Sequence, residues 1–400
     1  MPASPSTARA INDRLALRFL RDEGPLTAGQ LKTLTGLSRP TVADLVERLR
    51  HTGLVRVVGE TGAQRRGPNA KLYGLVADRA HLAALDVRTD SVTVLVTDLL
   101  GAELARASTP MGEPGKGVGT GRAEEAGPAV ERAVALLERT VAEAGATRLH
   151  SVGIGAPGLI DPSTGELRDS GGLPWWHRRL VAALQQRLTA IVQVENETNV
   201  AAIAEQREGA ARGRDTFVLL WLGQGVGAAL VLDGRVRRGA SGGAGEIGFL
   251  PVPGTGGLPS ATDCDGGFHA LTGSAAIARL AARHGVAVDG GGTEPAGAVA
   301  VRAALAAGAD GFLDELAGRI ALGAASVSAV LDPGCVVLGG EIGRAGGAAL
   351  AARVEERLAG LSPLRTEVRA GALGGGAVLR GALLTVRDAA QEQLFAPEPM

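Results

Sequence analysis

Cysteine is nearly absent from this 400-residue chain, occurring only as Cys264 and Cys335. Two thiols imply no disulfide framework and favour an intracellular setting. No run of about 18 apolar residues appears, which argues against a membrane-spanning helix. The opening Met1-Pro2-Ala3-Ser4-Pro5-Ser6 also lacks the apolar core of a secretion signal, so the expected compartment is the cytoplasm. Net charge is likewise close to nothing, a formal −1. That total hides an asymmetry. Residues 1–80 hold 13 Lys and Arg against 7 Asp and Glu, a net +6, whereas the other 320 residues hold 28 against 35, a net −7. A basic head on an acidic body points to a polyanionic partner for the head alone.

What is present describes a globular protein, with 21% charged and 45% hydrophobic residues. Four hundred residues exceed what one small core organises, so two or three folding units are expected. The most informative segment runs from Thr27 to His51. Ahead of it, Ile11, Leu15 and Phe19, joined by Leu20, recur at helical spacing until Gly24-Pro25 ends that helix. A second helix, with Leu31 and Leu34 facing inward, stops at Gly36. In the third, Ser38 offers an oxygen to the free amides and Pro40 is tolerated because the first turn has no partner for its missing N–H. Val42, Leu45, Val46 and Leu49 then form a buried stripe, while Arg39, Thr41 and Arg48 point outward.

After Gly53 the period becomes strand-like in Leu54 to Val58, crosses a glycine-rich turn containing Arg65 and Arg66, and returns at Lys71-Leu72-Tyr73. A basic-tipped hairpin beside a helix-turn-helix is a wing, so residues 1–77 read as a winged helix-turn-helix. Its third helix is expected to lie in the major groove, with Ser38, Arg39, Pro40, Thr41, Asp44 and Arg48 at the DNA surface and Arg65 and Arg66 on the backbone or minor groove. Asp44 would oppose phosphate, and so would accept from a cytosine amine or exclude wrong sequences.

From about Leu82 strands alternate with helices, the mark of an α/β domain. The order of strands at 82–109, 151–155 and 191–194 returns after Thr216, which suggests two lobes facing a cleft. Residues 80–400 divide into lobe 1 at about 80–212, lobe 2 at about 214–375 and a C-terminal helix at about 376–392. The tail from Phe395 to Met400 is expected to fray.

Seven segments carry a resemblance to a known family: Thr35 to Val42, Gly155-Ala-Pro-Gly158, Leu173-Pro-Trp175, Glu195-Asn-Glu-Thr-Asn199, Gly223-Gln-Gly-Val-Gly227, Gly239 to Gly248, and Val336-Val-Leu-Gly-Gly340. In this order they resemble the regulator branch of the ROK family (repressors, open reading frames and sugar kinases) from about residue 10 to 390. The resemblance implies an α/β fold in which a winged helix-turn-helix precedes a two-lobed hexokinase/actin-like, ribonuclease H-like domain.

The resemblance also bears on activity. The family's kinases carry Asp-x-Gly-Gly-Thr on the first hairpin, where bare amides cradle ATP phosphates. This chain has Asp86-Val87-Arg88-Thr89-Asp90, and Glu341 stands where kinases often have another glycine. The kinases' catalytic base is an aspartate in Asn-Asp-x-Asn, replaced here by Glu197, one methylene longer. No kinase activity and no ATP are therefore expected. Zinc is not expected either, since only Cys264 and His269 remain of the family's ligands and Phe249 replaces a histidine. For an effector, the resemblance assigns Asn196, Glu197 and Glu246 to sugar hydroxyls, although Gly172 and Phe249 depart from the pattern. Glu197 has an alternative use as a helix-start carboxylate satisfying free amides near Asn199.

The expected protein is a sequence-specific transcriptional regulator, a repressor of carbohydrate genes, controlled by a sugar or other small polar effector. Its expected partners are a double-stranded DNA operator, the effector and a second copy of itself, as homodimer or homotetramer, with no membrane. The competing reading is an ATP-dependent carbohydrate kinase with an accessory DNA-binding domain.

Overall fold

A computed structural model of the chain describes residues 5–61, 70–111, 123–168, 176–260, 263–288 and 294–396. Among them no helix is long and apolar enough to cross a membrane. The head comprises α1 (Pro5–Asp22), β1 (Leu26–Thr27), α2 (Ala28–Thr35), α3 (Arg39–His51), β2 (Val55–Thr61) and β3 (Ala70–Leu75). Local chemistry sets its boundaries. Thr27 accepts from the Gln30 N–H while its own N–H donates to the Gln30 side chain, a capping box that starts α2. Gly36 ends α2 at φ +70°, a left-handed cap that a Cβ would disfavour. Ser38 then caps α3 by accepting from the Thr41 N–H, with Pro40 in the first turn.

Val42, Leu45, Val46 and Leu49 form the buried face of α3, as their spacing predicts. The other two helices differ from expectation. Ile11 is 57% exposed and Leu34 41% exposed, and the buried face of α1 is Ala16, Leu17 and Leu20. A face rotated by about one residue is equally compatible with the apolar spacing, and packing among α1, α2, α3 and β3 selects it. The wing strands pair in the order β1-β3-β2, with a bulge between Val57 and Gly59.

Lobe 1 contains β4 (His81–Val87), β5 (Ser91–Asp98), β6 (Glu103–Pro110), α4 (Ala123–Glu143), β7 (Leu149–Ala156), α5 (Trp176–Arg187), β8 (Ile191–Asn196) and α6 (Glu197–Glu208). Lobe 2 contains β9 (Phe217–Leu222), β10 (Val226–Leu232), β11 (Arg235–Val236), α7 (His269–Thr272), α8 (Ser274–Arg283), α9 (Ala296–Ala307), α10 (Asp310–Leu331), β12 (Cys335–Gly339), α11 (Gly340–Ala359) and β13 (Glu367–Ala370), and α12 (Ala377–Leu394) closes the described chain. The sheets run β6-β5-β4-β7-β8 and β11-β10-β9-β12-β13. In each, the first strand of the lobe pairs antiparallel with its hairpin neighbour and parallel with a later strand. The repeated order read from the sequence is thus a repeated topology.

Both faces of these sheets are covered. Val218, Leu220 and Leu222 of β9 enter a core with α8 to α11, while the alternating Phe217, Leu219 and Trp221 meet α6 and α12 on the other side. Helices α6 and α12 thereby fill the space between the lobes. Although α12 follows lobe 2 in sequence, it packs on β4 and β7 of lobe 1. A Cβ at Gly381 would strike the backbone of Val200, so α12 and α6 touch along bare main chain. Beyond α12, Phe395 does not fray: it is 6% exposed and belongs to the core of the head with Leu17, Leu20 and Leu49. Burying that ring contributes about 2 kcal/mol to the head's attachment; the hydrophobic gain outweighs the entropy that the tail's small and polar composition suggested it would keep.

Candidate functional site

On the head, Arg39, Pro40, Thr41 and Asp44 are exposed along α3, and Ser38 is exposed while its Oγ lies 2.8 Å from the Thr41 hydroxyl. Arg48 departs from the expectation that it points outward. Its guanidinium donates to Asp13 of α1 at 2.6 and 3.3 Å and to Asp44 one turn earlier on α3. Arg48 therefore ties α3 to α1, and Asp44 is neutralised on the protein itself. The geometry follows from the i,i+4 spacing of Asp44 and Arg48 and from α1 crossing behind α3. Among the described residues Arg39 carries no such partner, which leaves it free for a base edge or a phosphate. Arg65 and Arg66 lie outside the described residues.

The second site lies between the lobes. The β4–β5 hairpin turns at Arg88, whose N–H donates to the Ser91 carbonyl at 2.9 Å. Arg88 Nε donates to Asp86 Oδ2 at 3.0 Å, Nη1 to Glu341 Oε1 at 2.5 Å and Nη2 to the Gly375 carbonyl at 2.8 Å. The three nitrogens of one guanidinium thus join the end of β4, the first turn of α11 and the approach to α12. Asp86 is 5% exposed, and its Oδ1 is buried without a partner among the described residues. Burial pushes its carboxyl up to about 6, against the opposing pull of Arg88. Burial also opposes the Arg88 charge, but Asp86 and Glu341 outweigh it and hold the guanidinium firmly protonated. Behind the hairpin, His177 is buried and pushed down to about 4 by desolvation, so it is neutral. Its Nε2 lies 3.1 Å from the Arg88 carbonyl and steadies the turn.

Asn196 and Glu197 begin α6 at the opposite wall. Asn196 Oδ1 accepts from the Thr198 and Asn199 N–H groups at 2.9 and 3.3 Å, and its Nδ2 donates to the Gly158 carbonyl at 3.0 Å. Capping has consumed most of this side chain, which retains one N–H for any ligand. Because Asn196 satisfies the free amides, Glu197 is released from that duty. Its carboxylate makes no hydrogen bond or ion pair within the described residues. Burial, then the charges of Asp86, Glu341 and Glu246, push it up to about 8 despite Arg88. Glu246 is exposed at the rim, yet desolvation by the surrounding protein still raises it. Glu195, not singled out from the sequence, is buried and accepts from Asn199 Nδ2 at 2.9 Å and Arg238 Nε at 2.5 Å, which fixes the strand end that presents Asn196.

Structure therefore brings Glu197 and Glu246 together with Asp86, Glu341 and Arg88, and places the head residues apart from them. Arg88 and Glu341, each a separate obstacle to ATP in the sequence, pair with one another in the structure. Nothing in the sequence singles out Asp13, Gly375 and His177, for which no local signal exists. Cys264 is half-buried and Cys335 buried, both free thiols. Among the described residues no three His, Cys, Asp or Glu side chains converge to hold a metal.

Comparison with known proteins agrees with this two-part arrangement. The ROK family description matches residues 118–389 and the MarR family description matches residues 11–67. Among curated proteins, the chain is similar to the xylose repressor of Caldicellulosiruptor bescii, at 25% identity over 61% of this chain and 59% of that protein. It is also similar to the glucokinase of Halalkalibacterium halodurans, at 29% identity over 50% of this chain and 63% of that protein. The chain thus spans about 60% of the length of these relatives. A crystal structure described as a ROK family transcriptional regulator, homologous to the Escherichia coli MLC protein, overlays with a TM-score of 0.72 at 20% identity, covering 97% of this chain and 98% of that one. At that identity the likeness concerns the fold, and it extends through the head. A ROK glucokinase from Streptomyces griseus, solved with glucose and AMPPNP, overlays with a TM-score of 0.62 at 26% identity over 77% of this chain and all of that one.

Proposed function

The chain belongs to the ROK family, and from that premise we propose that it is a sequence-specific DNA-binding repressor whose interlobe cleft takes a sugar or other small polar effector. The observation that carries the reading is the pairing of a capped, MarR-like recognition helix with a phosphate corner filled by the chain's own Arg88. Likeness to xylose repressors supports the same view. We infer that phosphoryl transfer is lost. A triphosphate would have to part Arg88 from two carboxylates and then sit beside them; each unit charge held about 4 Å from a carboxylate costs about 4 kcal/mol at an effective dielectric of 20. The carboxyl groups of Asp86, Glu197, Glu246 and Glu341 offer hydrogen bonds around an arginine that is already paired, which favours an uncharged polyol over a sugar phosphate. Zinc has no part in this reading, because Cys264 and His269 do not form a tetrahedral set.

In operation, Arg39 and Thr41 meet the operator, and a dimer sets two heads on half-sites about one helical turn apart. Effector in the cleft favours one lobe arrangement, which changes how well the two heads fit. The test is operator binding to DNA flanking the gene, across a salt series and with a panel including xylose, glucose and their phosphates. Each phosphate neutralised contributes a slope of about −0.9 in log K against log salt. A salt-independent complex, or no specific site, would sink the regulator reading. ATP-dependent phosphorylation of any sugar in the panel, abolished by Glu197→Gln, would revive the kinase.

A further inference from the structure

Helix α12 reaches both functional ends of the molecule. Its approach segment sits in the cleft cluster: the Gly375 carbonyl accepts from Arg88 Nη2 at 2.8 Å, and the Ala372 and Leu373 N–H groups donate to the buried Glu205 carboxylate at 3.1 and 2.9 Å. Eighteen residues later, about 27 Å along a straight helix, its far end enters the head. There Leu394 touches both the lobe 1 core and the head core, and Phe395 is buried among head residues.

Between these ends α12 has little freedom to bend. It lies against α6 through Gly381 and the Val200 backbone, and a Cβ at Gly153 of β7 would meet the Ala382 carbonyl. Close-packed contact of this kind passes displacement along the helix instead of absorbing it. Gln391 Nε2, donating to the Leu99 carbonyl at 2.9 Å, holds the last turns on lobe 1.

The attachment of Phe395 to the head is bordered by two cavities, both of which this residue lines. One, of about 420 Å³, is lined by Arg14, Arg18 and Arg21 of α1 and Arg207 of α6. The other, of about 270 Å³, is lined by Asp13, Arg48, Leu49 and Leu394. Open space beside a buried residue leaves the head room to turn about Phe395. The second cavity also places the Asp13–Arg48 tie beside Phe395, so this residue and the recognition helix share a wall.

We propose that α12 is the rod that carries the state of the cleft to the DNA-binding head, with Phe395 as its pin and the Arg88–Gly375 contact as its input. The proposal rests on the reading that an effector occupies the cleft. A ligand that redistributes the ties of Arg88 changes what holds Gly375, shifts α12 along α6, and turns α1 and α3 about Phe395. The coupling follows a packed element contacted by both sites and needs no longer pathway.

The experiment has two arms on the full chain. In the first, Phe395→Ala and the milder Phe395→Leu are compared with wild type for sugar binding by calorimetry, using xylose and glucose, and for operator affinity with and without the sugar that binds. Sugar affinity is expected to stay within twofold, while the sugar-induced change in operator affinity falls to within twofold of unity in Phe395→Ala. An undiminished change overturns the rod. In the second arm, which needs no effector, Arg88→Met is made at the cleft end and amide exchange is followed at the head. Exchange in residues 13–22 and 388–396 is expected to rise several-fold; wild-type protection there overturns the rod even if Phe395→Ala fails to fold. Silence of both sugars in calorimetry counts against the effector reading alone, since the exchange arm still decides the rod.

Discussion

Replacing Arg88 by methionine removes the cation that pairs with Asp86, 5% exposed, and with Glu341, also well covered. In the wild type, Asp86 titrates at about 6 in the folded protein, above its ordinary 3.8. A folded value above the unfolded one means that Asp86 subtracts stability as pH rises from about 4, and that the loss levels off once the folded carboxyl ionises near pH 6. Without Arg88 the carboxyl stays protonated to higher pH, so the loss continues. If it holds its proton to pH 8, two further pH units at 1.36 kcal/mol each give a penalty of about 2.7 kcal/mol relative to wild type. At pH 5.5 Asp86 is mostly protonated in both proteins, and the deficit is chiefly that of the three lost hydrogen bonds, about 1 kcal/mol each. For a lobe of this size, 1 kcal/mol corresponds to about 2–4 °C. Thermal unfolding should therefore show a deficit at both pH values that is larger at pH 8 than at pH 5.5 by about 5 °C or more. A deficit that is the same at both pH values, or none at pH 8, would refute the account of Arg88 as the counter-charge that lets Asp86 ionise.

Glu197→Gln should stabilise the protein with the opposite dependence: wild type loses stability between about pH 4.5 and its folded value of about 8, and glutamine does not. The gain should open above pH 5, grow to on the order of 5 kcal/mol and level off near pH 8 in urea titrations. On the head, Arg39→Ala should weaken operator binding at least tenfold and flatten the salt slope by about one if it meets a phosphate. Arg48→Met should cost the head about 1 kcal/mol, because it strands Asp13, while changing the salt slope less than Arg39→Ala does. Ser38→Ala should lower head stability by about 1 kcal/mol through loss of the α3 cap, readable as faster amide exchange at Thr41. Gly381→Ala should cost several kcal/mol or block folding, since its methyl would strike the Val200 backbone.

Much of this architecture is legible from residue order, because the interactions responsible span only a few residues. The capping box at Thr27, the left-handed stop at Gly36 and the Ser38 cap before Pro40 each close within one turn. The two-sided burial of β9 and β12 follows from unbroken apolar runs, and the repeated strand order follows from repeated strand and helix spacing. The resemblance to a family likewise drew on short contiguous motifs, and these located Glu197 and Glu246 in the cleft.

What the residue order left open involves partners far apart along the chain. Arg48 looked like a base reader until α1 brought Asp13, 35 positions away, against it. Glu197 had two uses open to it, effector ligand or helix-start carboxylate; Asn196, also held by the Gly158 carbonyl, takes the cap instead and leaves Glu197 without a partner among the described residues. Arg88 and Glu341 are separated by 253 positions, and Phe395 finds the head from the other end of the molecule. A side chain's local surroundings determine whether it can cap a turn or enter a core, but only the packing of lobes and head decides which opposite charge or apolar surface it meets.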